Sequence, residues 1–317
     1  MLLKEDACAV KIMTIAIAML KLMFPMALGF LLFKLGILNT DADARMSKLL
    51  IYVASPCLTF NSVVGMERTG EEAIWFVLIF GVVFYIIITL LAFLCAFLMR
   101  APKKSFNTYT CLLIFGNVGF MGLPLAESLF GSTGLFYMGL LNIHFTLFAY
   151  SFGRILMARG TGTKNQIKPG DILNAATITT VITLIVFLTG VSLPDVIMEP
   201  IEFVGQITSP LAMIILGATM ATYSLKKMFT QWRYYVTGLI RLIAFPLLVF
   251  LVLRAIWGVN EVTIIMTLYA GMPSATVVNM LALAYGGDTE NASSCTGLMN
   301  IMSLITIPIM WMLVNNL

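Results

Sequence analysis

The sequence predicts an all-α integral membrane protein with ten transmembrane helices, arranged as two inverted five-helix repeats whose helices 4 and 9 are broken and cross. Three observations lead there. Hydrophobic residues make up 60% of the 317 and charged residues 11%, against roughly 25% charged in a soluble domain, and the mean hydropathy is +0.98. Ten segments are apolar over the ~20 residues that a membrane helix needs. Two glycine- and proline-containing interruptions, "IFGNVGFMGLPL" at 114–125 and "YAGMPSATVVNM" at 269–280, recur about 150 residues apart.

The spans follow one another closely. The first five cover about 12–33, 45–64, 73–99, 107–130 and 133–157; the second five cover 170–190, 200–222, 233–257, 261–285 and 289–314. The apolar run from Ile12 through Phe33 is longer than the ~7–15 residues of a signal-peptide core, so it reads as span 1. The longest polar connection, "RGTGTKNQIKPGD" at 159–171, divides the chain into repeats of residues 1–160 and 161–317. The five cysteines (Cys8, Cys57, Cys95, Cys111, Cys295) are scattered without a C-x-x-C pair. They read as free, buried thiols, with neither a metal site nor a disulfide framework.

Orientation follows from lysine and arginine placement. Connections after spans 1, 3, 5 and 7 carry 13 of them: Lys34, Arg45, Lys48, Arg100, Lys103, Lys104, Arg154, Arg159, Lys164, Lys168, Lys226, Lys227 and Arg233. The other side holds 4: Lys4, Lys11, Arg68 and Arg254. The richer side faces the cytoplasm, so both termini are expected outside it, in a multi-pass protein of the cell membrane. The net charge of +4 is then a topological signal and not a nucleic-acid footprint.

The halves overlay weakly. "ASPCLTF" of span 2 matches "TSPLAMI" of span 7, and "PLAESLFG" after the first break matches "MLALAYGG" after the second, at offsets of 154 and 156 residues. Each half has an odd number of spans, so the copies enter the membrane from opposite sides. Inverted repeats with broken helices at matching positions point to a secondary transporter. Irregular backbone survives at membrane depth only where protein buries it or it lines a wet cavity. Each restarted half-helix offers free N–H groups and a positive dipole end suited to an anion, with Pro124 and Pro273 expected at the first helical positions.

The segments "GNVGFMGLPLAESLFG", "GMPSATVVNMLALAYGGD", "SPCLTF" and "SPLAMIILGATM" resemble the auxin efflux carrier family, part of a superfamily with bile-acid symporters and related to sodium/proton antiporters. The resemblance covers essentially the whole chain. It implies crossed helices 4 and 9, a scaffold of spans 1, 2, 6 and 7, and a transport subdomain of spans 3–5 and 8–10. Members move organic anions such as auxin or small carboxylates. Plant members form dimers, which leaves a homodimer open here. Without a long cytoplasmic loop this chain looks like a compact bacterial member, for which malate or malonate is the usual expectation.

Carried over from the family, Asn117 with Gly116 in the first break is the leading substrate contact; alternatively its side chain caps broken backbone. Ser274, Thr276 and Asn279 lie in or just after the second break, although the hydroxyls can also bond back to their own helix. Charges inside spans are costly, and Lys21, Glu127 and Arg241 sit well inside. Lys21 or Arg241 is a counter-charge for a substrate or for Glu127, unless it snorkels to an interface, which suits Arg241 better than Lys21. Glu127, in the first turn after Pro124, is a candidate proton-coupling carboxylate or a statically paired one. His144, the single histidine, reads as a hydrogen-bonded core residue more readily than as a proton relay.

No nucleotide-binding, metalloprotease or serine-hydrolase motif is present, and no cofactor is expected; coupling to H+ or Na+ stays open. "YGGD" at 285–288 only superficially suggests an intramembrane protease. The stronger rival to a carrier is an anion channel or uniporter of the same fold, because broken helices also line pores.

Overall fold

The computed structural model describes residues 2–64, 71–159, 175–191, 193–223 and 225–316. The longest polar connection falls almost wholly outside the described residues, as does most of the acidic segment at 67–72. Helices are α1 (Leu2–Lys34), α2 (Thr40–Val64), α3 (Glu71–Leu98), α4 (Phe106–Ile114), α5 (Val118–Arg159), α6 (Ala175–Thr189) and α7 (Asp195–Gly205). They continue as α8 (Thr208–Ala221), α9 (Leu225–Thr230), α10 (Trp232–Trp257), α11 (Glu261–Ala270), α12 (Thr276–Tyr285) and α13 (Thr289–Asn316). Among the described residues there is no strand, and 7 helical stretches are long and apolar enough to cross a membrane, the consecutive α7 and α8 counting as one.

The apolar surface faces outward as well as inward. On α1, Met13, Ile17, Leu20, Phe24, Leu28 and Leu31 are exposed, and their spacing of three and four residues traces one helix face. So large an exposed apolar stripe suits contact with lipid. The opposite face packs on α8 by close backbone approach. A methyl group on Gly29 would overlap the Ile214 carbonyl, and one on Gly217 would overlap the Met26 carbonyl. Cys57, Cys95, Cys111 and Cys295 are free thiols, the last two buried and the first two only half-buried.

Proline explains much of the helical irregularity. Among the described residues four π-helical turns occur, at Leu50–Ala54, Val118–Gly122, Ala149–Gly153 and Ile240–Ala244. Pro56, Pro124 and Pro246 each follow one of them by two residues. A proline ring clashes with the carbonyl four residues back, and here that carbonyl belongs to Tyr52, Phe120 or Leu242, inside the widened turn in every case. The turn at 149–153 has no such proline. A different break occurs in α5 at Gly131, whose φ of 62° and ψ of −143° interrupt the helix. Gly134 then packs against the Ala126 carbonyl. Eight residues of straight helix would separate the two by ~12 Å, so the chain folds back at Gly131.

A polar knot ties α4, α10 and α13 together. Asp288 caps α13, accepting from the Asn291 backbone N–H at 3.1 Å. Its other oxygen accepts from Ser105 Oγ and Asn291 Nδ2, both at 2.6 Å. Tyr234 donates to Asn291 Oδ1 at 2.6 Å. Partial burial opposes the charge on Asp288, but the bonds from Ser105 and Asn291, with Lys104 nearby, outweigh it and hold the carboxyl below its ordinary value.

Two outcomes are expected. Gly217→Val should lower the melting temperature of the detergent-purified protein by several degrees, corresponding to ~1–3 kcal/mol of overpacking; an unchanged melt would show that α1 and α8 separate freely. Asp288→Ala should cost ~1–2 kcal/mol near neutral pH. Because the folded pKa is depressed, wild type should hold this advantage above about pH 4 and lose it as pH falls through the folded value. Melting curves of both proteins between about pH 3 and pH 7 check the sign.

Candidate functional site

Both interruptions are real breaks, and they meet. After α4 ends, Phe115 is extended (φ −96°, ψ 106°) and Asn117 lies at φ −77°, ψ 61°. After α11 ends, Ala275 is extended (φ −72°, ψ 141°) before α12 begins. Gly116 and Ser274 then pair as a single antiparallel bridge. Asn117 N–H donates to the Pro273 carbonyl at 2.6 Å, and Ala275 N–H to the Phe115 carbonyl at 2.9 Å. Each break thus satisfies backbone groups that the other frees. In this kind of pair the N–H groups of Gly116 and Ser274 themselves point away from the partner strand.

The side chains around the bridge leave polar atoms unsatisfied. Asn117 Nδ2, Ser274 Oγ and Thr276 Oγ1 are buried without hydrogen-bond partners, so neither hydroxyl bonds back to its helix. The Asn117 side chain makes no capping bond; its backbone carbonyl starts the next turn instead, accepting from Met121 and Gly122 at 3.2 and 3.0 Å. Arg241 reaches the same place from the π turn of α10. It is 1% exposed, and a methyl group on Gly116 would overlap its Nη2. Arg241 Nε and Nη1 have no hydrogen-bond partner. The ionisable groups acting on it are the neutral phenols Tyr85 and Tyr269, which bond to each other at 2.8 Å. Among the described residues no carboxylate pairs with this buried guanidinium, and unsatisfied amide and hydroxyl groups stand beside it, a donor set that can accept an anion.

A family model described as membrane transport protein matches residues 14–311 of this chain. The chain belongs to that family. It is 28% identical over 288 residues to an "Uncharacterized transporter" of Methanothermobacter thermautotrophicus, covering 89% of this chain and 92% of that protein. It is 25% identical over 292 residues to a protein of Rhizobium meliloti named "Putative malonate transporter", covering 88% and 89%. A second "Uncharacterized transporter", from Methanocaldococcus jannaschii, is 23% identical over 290 residues, covering 88% and 92%. The membrane transport family thus agrees with the resemblance read from the break motifs, and the protein is a multi-pass membrane transporter.

Within this transporter the predicted site residues part company. Gly116, Asn117, Ser274 and Arg241 come together, with Pro273 supplying the bridging carbonyl. Pro273 therefore lies inside the break, three residues before α12 starts, and not at the first helical position. Pro124, by contrast, stands close to its expected place, at the second residue of the regular helix that follows the π turn Val118–Gly122. Asn279 turns toward α13, accepting from Thr296 Oγ1 at 3.3 Å, while its Nδ2 has no partner.

The two cations reverse the expectation. Lys21 is exposed on the outer face of α1 beside Ile17, Leu20 and Phe24, where its stem can lie along lipid, whereas Arg241 is buried. Glu127 is exposed as well, and no ion pair joins it to Lys21 or Arg241, so the burial on which its coupling role depended is absent. His144 is buried against Gly81 of α3 with Nδ1 3.0 Å from the Leu140 carbonyl, a packed core histidine.

Asn142 escaped the sequence reading. Its Nδ2 donates to Thr59 Oγ1 of α2 at 3.0 Å, and its Oδ1 has no partner yet lies 3.1 Å from where a methyl on Gly119 would stand. A polar residue eleven positions past Gly131 is visible in sequence, but nothing in its neighbours announces that the chain folds back onto the break.

An unpaired buried cation destabilises the fold that holds it. Arg241→Met should therefore raise the melting temperature of the anion-free protein by a few degrees, since replacing buried charge with apolar volume commonly gains ~1–4 kcal/mol. A lower melt than wild type would mean that the guanidinium is satisfied and structural.

Proposed function

We propose that the protein is a secondary active transporter that carries a small organic anion across the cell membrane by alternating access, bound where the two breaks pair. The observation that carries this reading is the buried Arg241 guanidinium set against Gly116, with Asn117 and Ser274 offering further unsatisfied donors. Organic anions of the malate and malonate kind match these groups, and the relative from Rhizobium meliloti bears a malonate name. An auxin-like acid presents the same carboxylate.

The architecture of the proposal is ten spans in two inverted repeats. Spans 4 and 9 are α4 with the first arm of α5, and α11 with α12. Gly116 and Ser274 lie 158 residues apart, close to the offsets of 154 and 156 in the repeat alignment, as expected if a pseudo-two-fold axis passes near the bridge. Spans 1, 2, 6 and 7 (α1, α2, α6 and α7–α8) form the scaffold of this reading, and the remaining helices move. Both termini lie outside the cytoplasm, coupling is to H+ or Na+, and a homodimer is compatible with the outward apolar faces.

The test is uptake into liposomes containing the purified protein. Labelled malonate should enter with saturation and show counterflow, and Asn117→Ala or Arg241→Gln should reduce the rate about 10- to 100-fold, the worth of one hydrogen bond to a charged group. Both variants should reconstitute at wild-type yield. Unitary currents without counterflow would mark a channel, and full activity of Arg241→Gln would remove the site from the bridge.

A further inference from the structure

α3 and α10 touch at both ends and part in between. At one end the Phe76 and Trp257 rings lie 4.1 Å apart, centroid to centroid. At the other, Arg233 donates to the carbonyls of Met99 and Arg100, each at 3.4 Å. Between these contacts lies a cleft of about 390 Å³, within the ~300–1,000 Å³ of small-molecule sites. Every residue lining it is Phe, Ile, Val or Leu, and all belong to α3 or α10. Phe84, Phe245 and Leu253 are buried at its floor, Val249 is half-buried, and Ile87 and Val252 stand exposed at its rim.

A cleft that offers no polar side chain and opens sideways toward the bilayer suits a flexible apolar chain. Its floor also backs onto the paired breaks. Phe84 meets Tyr85 and Tyr269 edge-on, with centroids 5.4 and 5.1 Å away, and those are the phenols that act on Arg241. Lipid chains are as apolar as the cleft, so burial alone selects nothing there. Selection has to come from packing inside the cleft and from whatever holds the other end of the chain.

That other end is basic. Ile87, Leu91, Leu94 and Leu98 follow one another at spacings of four, three and four residues, along one face of α3. They lead from the cleft to a second recess, lined by Phe97, Leu98, Arg100 and Lys103 among others. Arg100 and Lys103 are exposed there, and Arg233 of α10 is bonded to the Arg100 carbonyl. Three cations thus gather where the apolar track ends, while Lys104 acts on Asp288 instead. From Leu98, α3 rises ~17 Å to Ile87 and ~21 Å to Phe84. Half a bilayer with its headgroups is ~20–22 Å, so a lipid whose phosphate lies just beyond Leu98 brings its chain ends into the cleft.

We propose that cleft and recess together bind one anionic phospholipid, with an acyl chain between α3 and α10 and the phosphate among Arg100, Lys103 and Arg233. Basic pockets at the membrane surface favour such headgroups over zwitterionic ones. The site is separate from the paired breaks and does not rest on the anion-transport reading.

Native mass spectrometry of the detergent-purified full chain tests it, with dipalmitoyl phosphatidylglycerol, dipalmitoyl phosphatidylcholine, dioctanoyl phosphatidylglycerol and glycerol phosphate as probes. Phosphatidylglycerol should bind about tenfold or more tightly than phosphatidylcholine of the same chains. The double variant Arg100→Gln with Lys103→Gln should erase that preference and leave phosphatidylcholine binding as it was. Val249→Trp, which puts a ring into the cleft, should weaken the dipalmitoyl lipid several-fold and leave the dioctanoyl lipid, whose chains stop short of the cleft, unchanged. Should Val249→Trp fail to purify, Val252→Trp at the rim carries the same expectation. Equal affinity for the two headgroups, or a preference that survives in the double variant, would overturn the phosphate assignment. Dipalmitoyl binding indifferent to the tryptophan would overturn the chain assignment, as would complete displacement of the lipid by equimolar glycerol phosphate. None of these outcomes bears on anion transport.

Discussion

Backbone hydrogen bonding in the absence of water is the constraint on which this structure turns. A helix that stops inside a membrane frees donors and acceptors that lipid cannot meet. Here the two stopped helices meet each other: Asn117 and Ala275 donate across to Pro273 and Phe115, forming the shortest possible piece of antiparallel pairing. Neither break is tenable alone. Side chains close in on the paired segment where it carries none: the Arg241 guanidinium occupies the space a side chain on Gly116 would fill, and Asn142 Oδ1 lies against Gly119.

Proline acts at a distance from its own position. Pro246 packs beside Gly271 at the start of the second break, and its ring demands room at Leu242; the turn widened to give it holds Arg241. Pro124 widens the turn at 118–122 in the same way, just beyond Asn117. π turns of this kind commonly mark functional positions. Three of the four among the described residues share a mechanical origin, a proline two residues downstream, that also sets side chains out of regular helical register. The one π turn without a proline, at Ala149–Gly153, has no such account.

How legible was this in the sequence? The breaks were plain, because glycine, asparagine and proline stand out against long apolar runs; that Gly116 and Ser274 are the residues that pair was not. The interruption at Gly131 was also legible, since it is the glycine that ends the matched "PLAESLFG" segment. The assignment of the cations was not. Lys21 and Arg241 each sit in mid-span, and hydropathy carries no information about which face of a helix turns inward. That depends on close approach of α1 to α8 through Gly29 and Gly217 on one side, and on the absence of a side chain at Gly116 on the other. Glu127 failed for the same reason: its position in sequence was read correctly, its direction was not. Pro273 failed for a different one, since its carbonyl, and not its ring, determines where it sits.

A membrane protein that buries an unpaired arginine accepts a standing cost, because ions pull several kcal/mol against removal from water even after relaxation. Two neutral phenols and a snug glycine do not neutralise it. Such a group is retained at a functional site when a ligand supplies what the protein withholds. The bound anion would then do two things at once: it would complete the hydrogen bonds of Arg241 and remove the net charge from the buried unit that carries it. A carrier whose loaded binding unit is electrically quieter than its empty one crosses the low-dielectric interior more readily with substrate than without. In the proposed carrier the unpaired guanidinium would link occupancy to movement through the same Coulombic term that makes it costly when alone.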